Sequence, residues 1–348
     1  MIATDRSINL WPILAAVLAT LALTGLVPTS PAVASTHHAK SCGPGTSCLR
    51  AEVVRKRPFS SSSIWGSAVD GQQDLSPLSS AYVGRLQASV RDDGAWVNTT
   101  QWSTPVYSVG RRQRTVPIQL DGVSDDLQQA MSSVPVPKDA TPAADTDSHL
   151  VVYQRSTDTM WELWGASHGA AGWQARYGGR MDDVSKSPGY FPSDPGWGAT
   201  ATGLPMLGGL IRLSELRAGL IPHALALEVP EPSSSFYAWP AQRSDGTNVD
   251  PRAIPEGTRF RIDPSLDLST IPMAPYVRTI AEAAQRYGMY VTDKGDSVAF
   301  TAEDPTPTGS NPYWPQSNEI FGGEYPSEAL QQFPWGALQA VDAPLHRR

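Results

Sequence analysis

Cysteine is nearly absent from this chain: only Cys42 and Cys48 occur among 348 residues. With no C-x-x-C and no cysteine-histidine spacing, a structural zinc site is not expected. Charge is sparse too. Charged residues make up 18% of the chain and the formal net charge is −7, so no broad basic surface invites nucleic acid as a partner. The six histidines fall without H-x-H or H-E-x-x-H spacing, and no catalytic metal is expected from them. G-x-S-x-G and the phosphate-cradling G-x-x-x-x-G-K are both missing, which argues against serine-hydrolase and nucleotide-dependent chemistry; no cofactor is expected.

Long apolar runs are also missing, with one exception. Arg6 precedes the stretch Leu10 to Val27, which leads to Pro28, Pro31 and the small-residue triplet Ala32-Val33-Ala34. A basic start, an apolar centre and an A-x-A site define a secretory signal peptide over residues 1–34, so the mature protein is expected outside the cell without a membrane span. In that oxidising setting Cys42 and Cys48, separated by "GPGTS", suit a disulfide closing a small loop. Residues 35–57 lack a periodic apolar face and read as an exposed linker. Residues 58–348 are left as a single β-rich domain.

Glycine and proline are plentiful, 29 and 31 residues, and imply many turns. Short strand-like runs cover 104–109, 115–120, 150–155, 160–164, 224–229, 258–263, 289–293 and 297–302. Helical signals are fewer. The best is 275–287, with Pro275 suited to the first turn, Gly288 past the end, and Val277, Ile280, Ala281, Ala284 and Tyr287 on one face. Shorter helices are expected at 78–90 and 213–218. The fold expectation is a mainly β domain, a sandwich or jelly roll with a few peripheral α-helices.

The stretch "SHLVVYQRSTDTMWELWGASH" (148–168) reads as a hairpin. A turn at Thr157-Asp158 sets Tyr153 opposite Glu162 and Val151 opposite Trp164. Side-chain alternation then places His149, Tyr153, Glu162 and Trp164 on one face, while Leu150, Val152, Trp161 and Leu163 form a core face. Imidazole, phenol, carboxyl and indole together suit a carbohydrate site, because aromatic rings stack on sugar faces and the other groups exchange protons. The competing reading is an ordinary solvated sheet face. In "TRFRID", Arg259, Arg261 and Asp263 share one side and could hold an acidic sugar or simply pair with neighbours. His223 heads a strand, where a satisfied structural role competes with substrate contact. "SDGTNVD" (244–250) offers oxygen ligands at Asp245, Thr247 and Asp250 but lacks the calcium-loop pattern and reads as a turn.

The stretches "FSSSSIW" (59–65), "HLVVYQRSTDTMWELWGA" (149–166), "GWGATATGLPMLGGLIRLSELRAGLIPHALAL" (196–227), "AWPAQRSDGTNVDPRAIPEGTRFRIDPSLDL" (238–268) and "RYGMYVTDKGD" (286–296) resemble an uncharacterised family of secreted bacterial proteins. That resemblance implies export and one integral domain, and it brings no catalytic residues, substrate or cofactor. The expectation from the residues is a secreted protein acting on a polysaccharide or cell-wall glycan. As a lyase it would use Tyr153 or His149 as base and Arg259 or Arg261 against a uronic carboxylate. As a hydrolase it would use Glu162 as acid with Asp147 or Asp263 as partner. A non-catalytic carbohydrate binder or cell-envelope component would instead rely on Trp164, Trp173, Trp197 and Trp239.

Overall fold

Two sheets of six and five strands organise the protein, a computed structural model of which describes residues 46–69, 71–194 and 196–348. The larger sheet runs, edge to edge, through Ala95–Asn98, Val298–Thr301, Leu225–Val229, Met289–Lys294, Arg259–Ile262 and Leu338–Ala340. The smaller runs through Glu303–Asp304, Thr104–Ser108, Leu150–Gln154, Thr159–Trp164 and Tyr177–Met181. Each mixes parallel with antiparallel pairs. Parallel neighbours need a crossover, and the helix Pro275–Arg286 lies on the one that joins Leu225–Val229 to Met289–Lys294. Strand and helix shares are close, 25% and 23%, so the fold is mixed α/β, richer in helix than the mainly β expectation.

All eight expected strands and all three expected helices form, within a few residues of their expected ends. The helix Pro275–Arg286 shows why. Proline suits its first turn, where an amide donor would go unused, and Gly288 follows it at φ 75°. Its Val277, Ile280, Ala281 and Ala284 stripe packs on Leu225, Leu227, Phe260, Met289 and Val291 from one face of the larger sheet. The other face of that sheet contributes Tyr290 to a second core with Trp65, Val151, Tyr153 and Met160. A third core joins Leu150, Val152, Trp161 and Leu163 to Ile118, Leu127, Met131 and Trp173. The smaller sheet is therefore covered on both faces, and a solvated hairpin face is overturned.

The glycine-rich run 196–210 packs inside the second core. A methyl group on Gly208 would lie 2.2 Å from the Trp65 indole, so only glycine lets the backbone come this close. The linker expectation for 35–57 changes where it is described. Thr46–Lys56 is a helix with Val53 buried, packed against the helix Leu213–Ala218. The expected signal peptide and Cys42 lie outside the described residues, and with Cys42 goes the proposed pairing; Cys48 is not a free thiol. Among the described residues, no helix is long and apolar enough to cross a membrane.

Candidate active-site cleft

The hairpin pairs Val151 with Glu162 and Tyr153 with Met160 around a four-residue turn, Arg155 to Asp158, with Asp158 at φ 53°. The register is two residues away from the expected one. An even slip leaves each side chain on its face, so His149, Tyr153, Glu162 and Trp164 do share a side. That side faces the second core, which separates them.

Glu162 is fully buried, its two oxygens accepting from the amides of Ala199 at 2.8 Å and Met206 at 2.9 Å. Burial pushes its carboxyl up to about 7 against these two bonds. It fastens the 196–210 run to the sheet and has no opening to a ligand. Tyr153 donates its hydroxyl to Asp158 at 3.2 Å under the Arg155 guanidinium. Burial, with Asp158 second, raises that phenol to about 12, which disqualifies it as a base near neutral pH.

His149 and Trp164 have a different fate. Asp145 Oδ1 accepts from the amides of Asp147 and Ser148, both at 2.8 Å, and its Oδ2 accepts from the amide of Trp102. This clamp sets Asp147 and His149 at the wall of a cleft of about 410 Å³. The Trp164 indole N–H donates to Asp147 Oδ1 at 3.0 Å. His149 is nine-tenths buried and its Nδ1 has no hydrogen-bond partner. Burial lowers its basicity against the opposing pull of Asp147 and Asp145.

The same cleft receives Glu228 and Asp293 from adjacent strands of the larger sheet. Regular pairing runs to Val291 opposite Leu227, then a bulge at Thr292 brings Asp293 opposite Glu228. Bulges re-aim side chains in this way. Glu228 accepts from Thr301 Oγ1 at 3.1 Å on the neighbouring strand and from Asn98 Nδ2 at 3.0 Å on the edge strand beyond it. Asp293 accepts from the amides of Ala201 at 3.0 Å and Lys294 at 2.9 Å. Both carboxyls are half-buried, enclosed by protein but reached from the cleft. Burial first and the Asp293 charge second raise Glu228 to about 8, while burial raises Asp293 to about 7. Two like charges this close cannot both ionise freely. Trp96 and Trp102, each more than two-fifths exposed, stand at the mouth.

Three other hollows, of about 490, 500 and 540 Å³, are larger. Several charges lining the first and third of them are held in ion pairs, such as Lys186 with Asp183 and Arg212 with Glu303. The cleft alone of these four unites raised carboxyls with an unpartnered imidazole nitrogen.

The remaining sequence candidates lie elsewhere. Arg259 donates to the carbonyls of Ser67 and Tyr287 and covers the Tyr290 ring. Arg261 is buried, bonded to Gln339 and Gln73. Asp263 accepts from Ser265 within its own turn. His223 is buried against Glu215, 3.0 Å away, and the Ala224 carbonyl. Trp173 is a core residue stacked on His168, Trp197 bridges two cores, and Trp239 is exposed beside Tyr190. Trp164 is thus the one named stacking tryptophan with a bond into the cleft, and it acts on Asp147.

Glu228 and Asp293 were missed as site residues although both lie in expected strands. The available signal was a carboxylate inside the apolar run "ALALEV", an expensive placement that asks for a reason. Comparison with protein-family models, curated proteins and solved structures finds no match to this chain.

Proposed function

We propose that the protein is an exported glycoside hydrolase acting on a neutral polysaccharide or cell-wall glycan, with the Glu228–Asp293 cleft as its active site. The observation that carries this reading is the convergence of Asp147, His149, Glu228 and Asp293 on one hollow beneath two exposed indoles. Glycosidic cleavage needs a carboxylic acid that is protonated at working pH and a second carboxylate that is not. Glu228, held up to about 8, is the acid that protonates the departing glycosidic oxygen. Asp147, oriented by the Trp164 N–H, is the carboxylate that activates water or attacks the sugar. Asp293 favours the protonated form of Glu228, and His149 lines the wall beside them. Trp96 and Trp102 supply stacking area at the entrance.

The surplus of carboxyls disfavours a uronic acid substrate, and Arg259 and Arg261 are engaged elsewhere, so hydrolysis is favoured over lyase chemistry. In this reading the two main sheets frame the cleft as the walls of a sandwich. The test is incubation of the mature chain with a panel of neutral polysaccharides, following released reducing ends and tryptophan fluorescence. Glu228→Gln and Asp147→Asn are expected to lower turnover by ~10² to 10⁴ with folding intact. Wild-type turnover in Glu228→Gln overturns the assignment, and fluorescence quenching without product makes the chain a binder.

A further inference from the structure

We infer that Asp245, Glu256 and Asp293 form a binding site for a hard divalent cation, calcium by preference, beside the cleft. One carboxylate oxygen from each lies within 4.8 Å of the others. Calcium takes oxygens at about 2.3–2.6 Å, so one ion reaches ligands up to about 5 Å apart, whereas magnesium at about 2.0–2.1 Å spans only ~4.2 Å. The set is all oxygen, which excludes a preference for soft metals.

Proximity of three acids is not sufficient, and Glu256 supplies the second observation. It is fully buried, and its Oε1 has no hydrogen-bond partner, while Oε2 accepts from the Asp245 amide at 3.1 Å. A buried carboxylate oxygen without a donor is costly, and such orphans call for a ligand. Protein cations do not meet the need. Among the described residues, none of the three acids is in an ion pair. Arg243 lies within their field, but its guanidinium donates to the carbonyls of Trp197, Gly198 and Thr200 at 3.1, 2.8 and 2.8 Å. Asp245 is exposed, which gives the ion an entry path and leaves room for water ligands. The bound ion would tie the 244–256 loop to the bulged strand. The site shares Asp293 with the cleft, where a bound ion would offset the charge that favours the Glu228 proton, but the cation reading stands whatever the substrate of the cleft.

The full chain, stripped with EDTA, is titrated with CaCl₂ and separately with MgCl₂ by calorimetry, with thermal melting in parallel. One saturable calcium site is expected, with a Kd of ~1 mM or tighter, weaker magnesium binding, and a melting temperature that rises with CaCl₂. Asp245→Asn and Glu256→Gln should each weaken calcium by ~10-fold or more. Glu231→Gln, an exposed acid outside the cluster, should keep the wild-type Kd. If Glu256→Gln fails to fold, Asp245→Asn decides alone, since its side chain faces solvent. Absence of both heat and melting shift with millimolar CaCl₂, unchanged calcium affinity in Asp245→Asn, or equal magnesium affinity would each overturn the assignment.

Discussion

Glu162 and Glu228 are both glutamates in the interior of a strand, and the protein treats them in opposite ways. Glu162 is closed off and meets two backbone amides, so it serves to anchor a loop. Glu228 is held by two side chains, faces another carboxyl across a bulge and opens on a cleft. Burial raises both. The surroundings decide which one can exchange a proton with a ligand, so a shifted carboxyl alone does not locate a site.

The sharpest way to break this contrast is to make the same change at both positions. Glu228→Gln should cost ~10² to 10⁴ in turnover and little stability, whereas Glu162→Gln should leave turnover per folded molecule near wild type. Equal losses of turnover would erase the distinction. Glu162→Ala bares two buried amides at ~1–3 kcal/mol each, a loss that urea unfolding at constant pH would register.

A pH series sharpens the comparison further. The folded Glu162 carboxyl sits at about 7, above its ordinary 4.5. The folded state therefore keeps a proton that the unfolded chain releases, and its contribution is complete below pH 4.5, declines as pH rises and is gone above about 7. Denaturant unfolding in EDTA between pH 4.5 and 8 should show this decline in the wild-type protein, at most ~1.4 kcal/mol per pH unit, and a flatter profile in Glu162→Gln. Identical slopes would refute it. The smallest effect belongs to Tyr153→Phe, which should lose ~0.5–1.5 kcal/mol through the Asp158 bond and nothing in turnover.

Most elements were legible because turn residues bracket each strand and apolar periodicity marks each helix. The hairpin faces were also legible, even with the register displaced, because alternation survives an even slip. What alternation does not tell is whether a face meets water or another sheet, and this misplaced Tyr153 and Glu162. Contacts distant in sequence brought Trp65 and the 196–210 run over that face. The cleft was only half readable. Asp147 and His149 come from the hairpin approach, but strict alternation would put Asp293 beside Val291 on the apolar side, and no local cue announces the bulge that reverses it. Likewise Asp245, in a stretch read as a turn, meets Glu256 and Asp293 only through the tertiary fold.

One inserted residue, Thr292, thus converts what would be a carboxylate intruding among hydrocarbon into half of a reactive pair. Were Thr292 to pair in register with Glu228, the acid after it would turn inward beside Val291, and both proposed chemistries would be lost with every ionisable group still present. Reactivity here is written in how a strand pairs as much as in its composition.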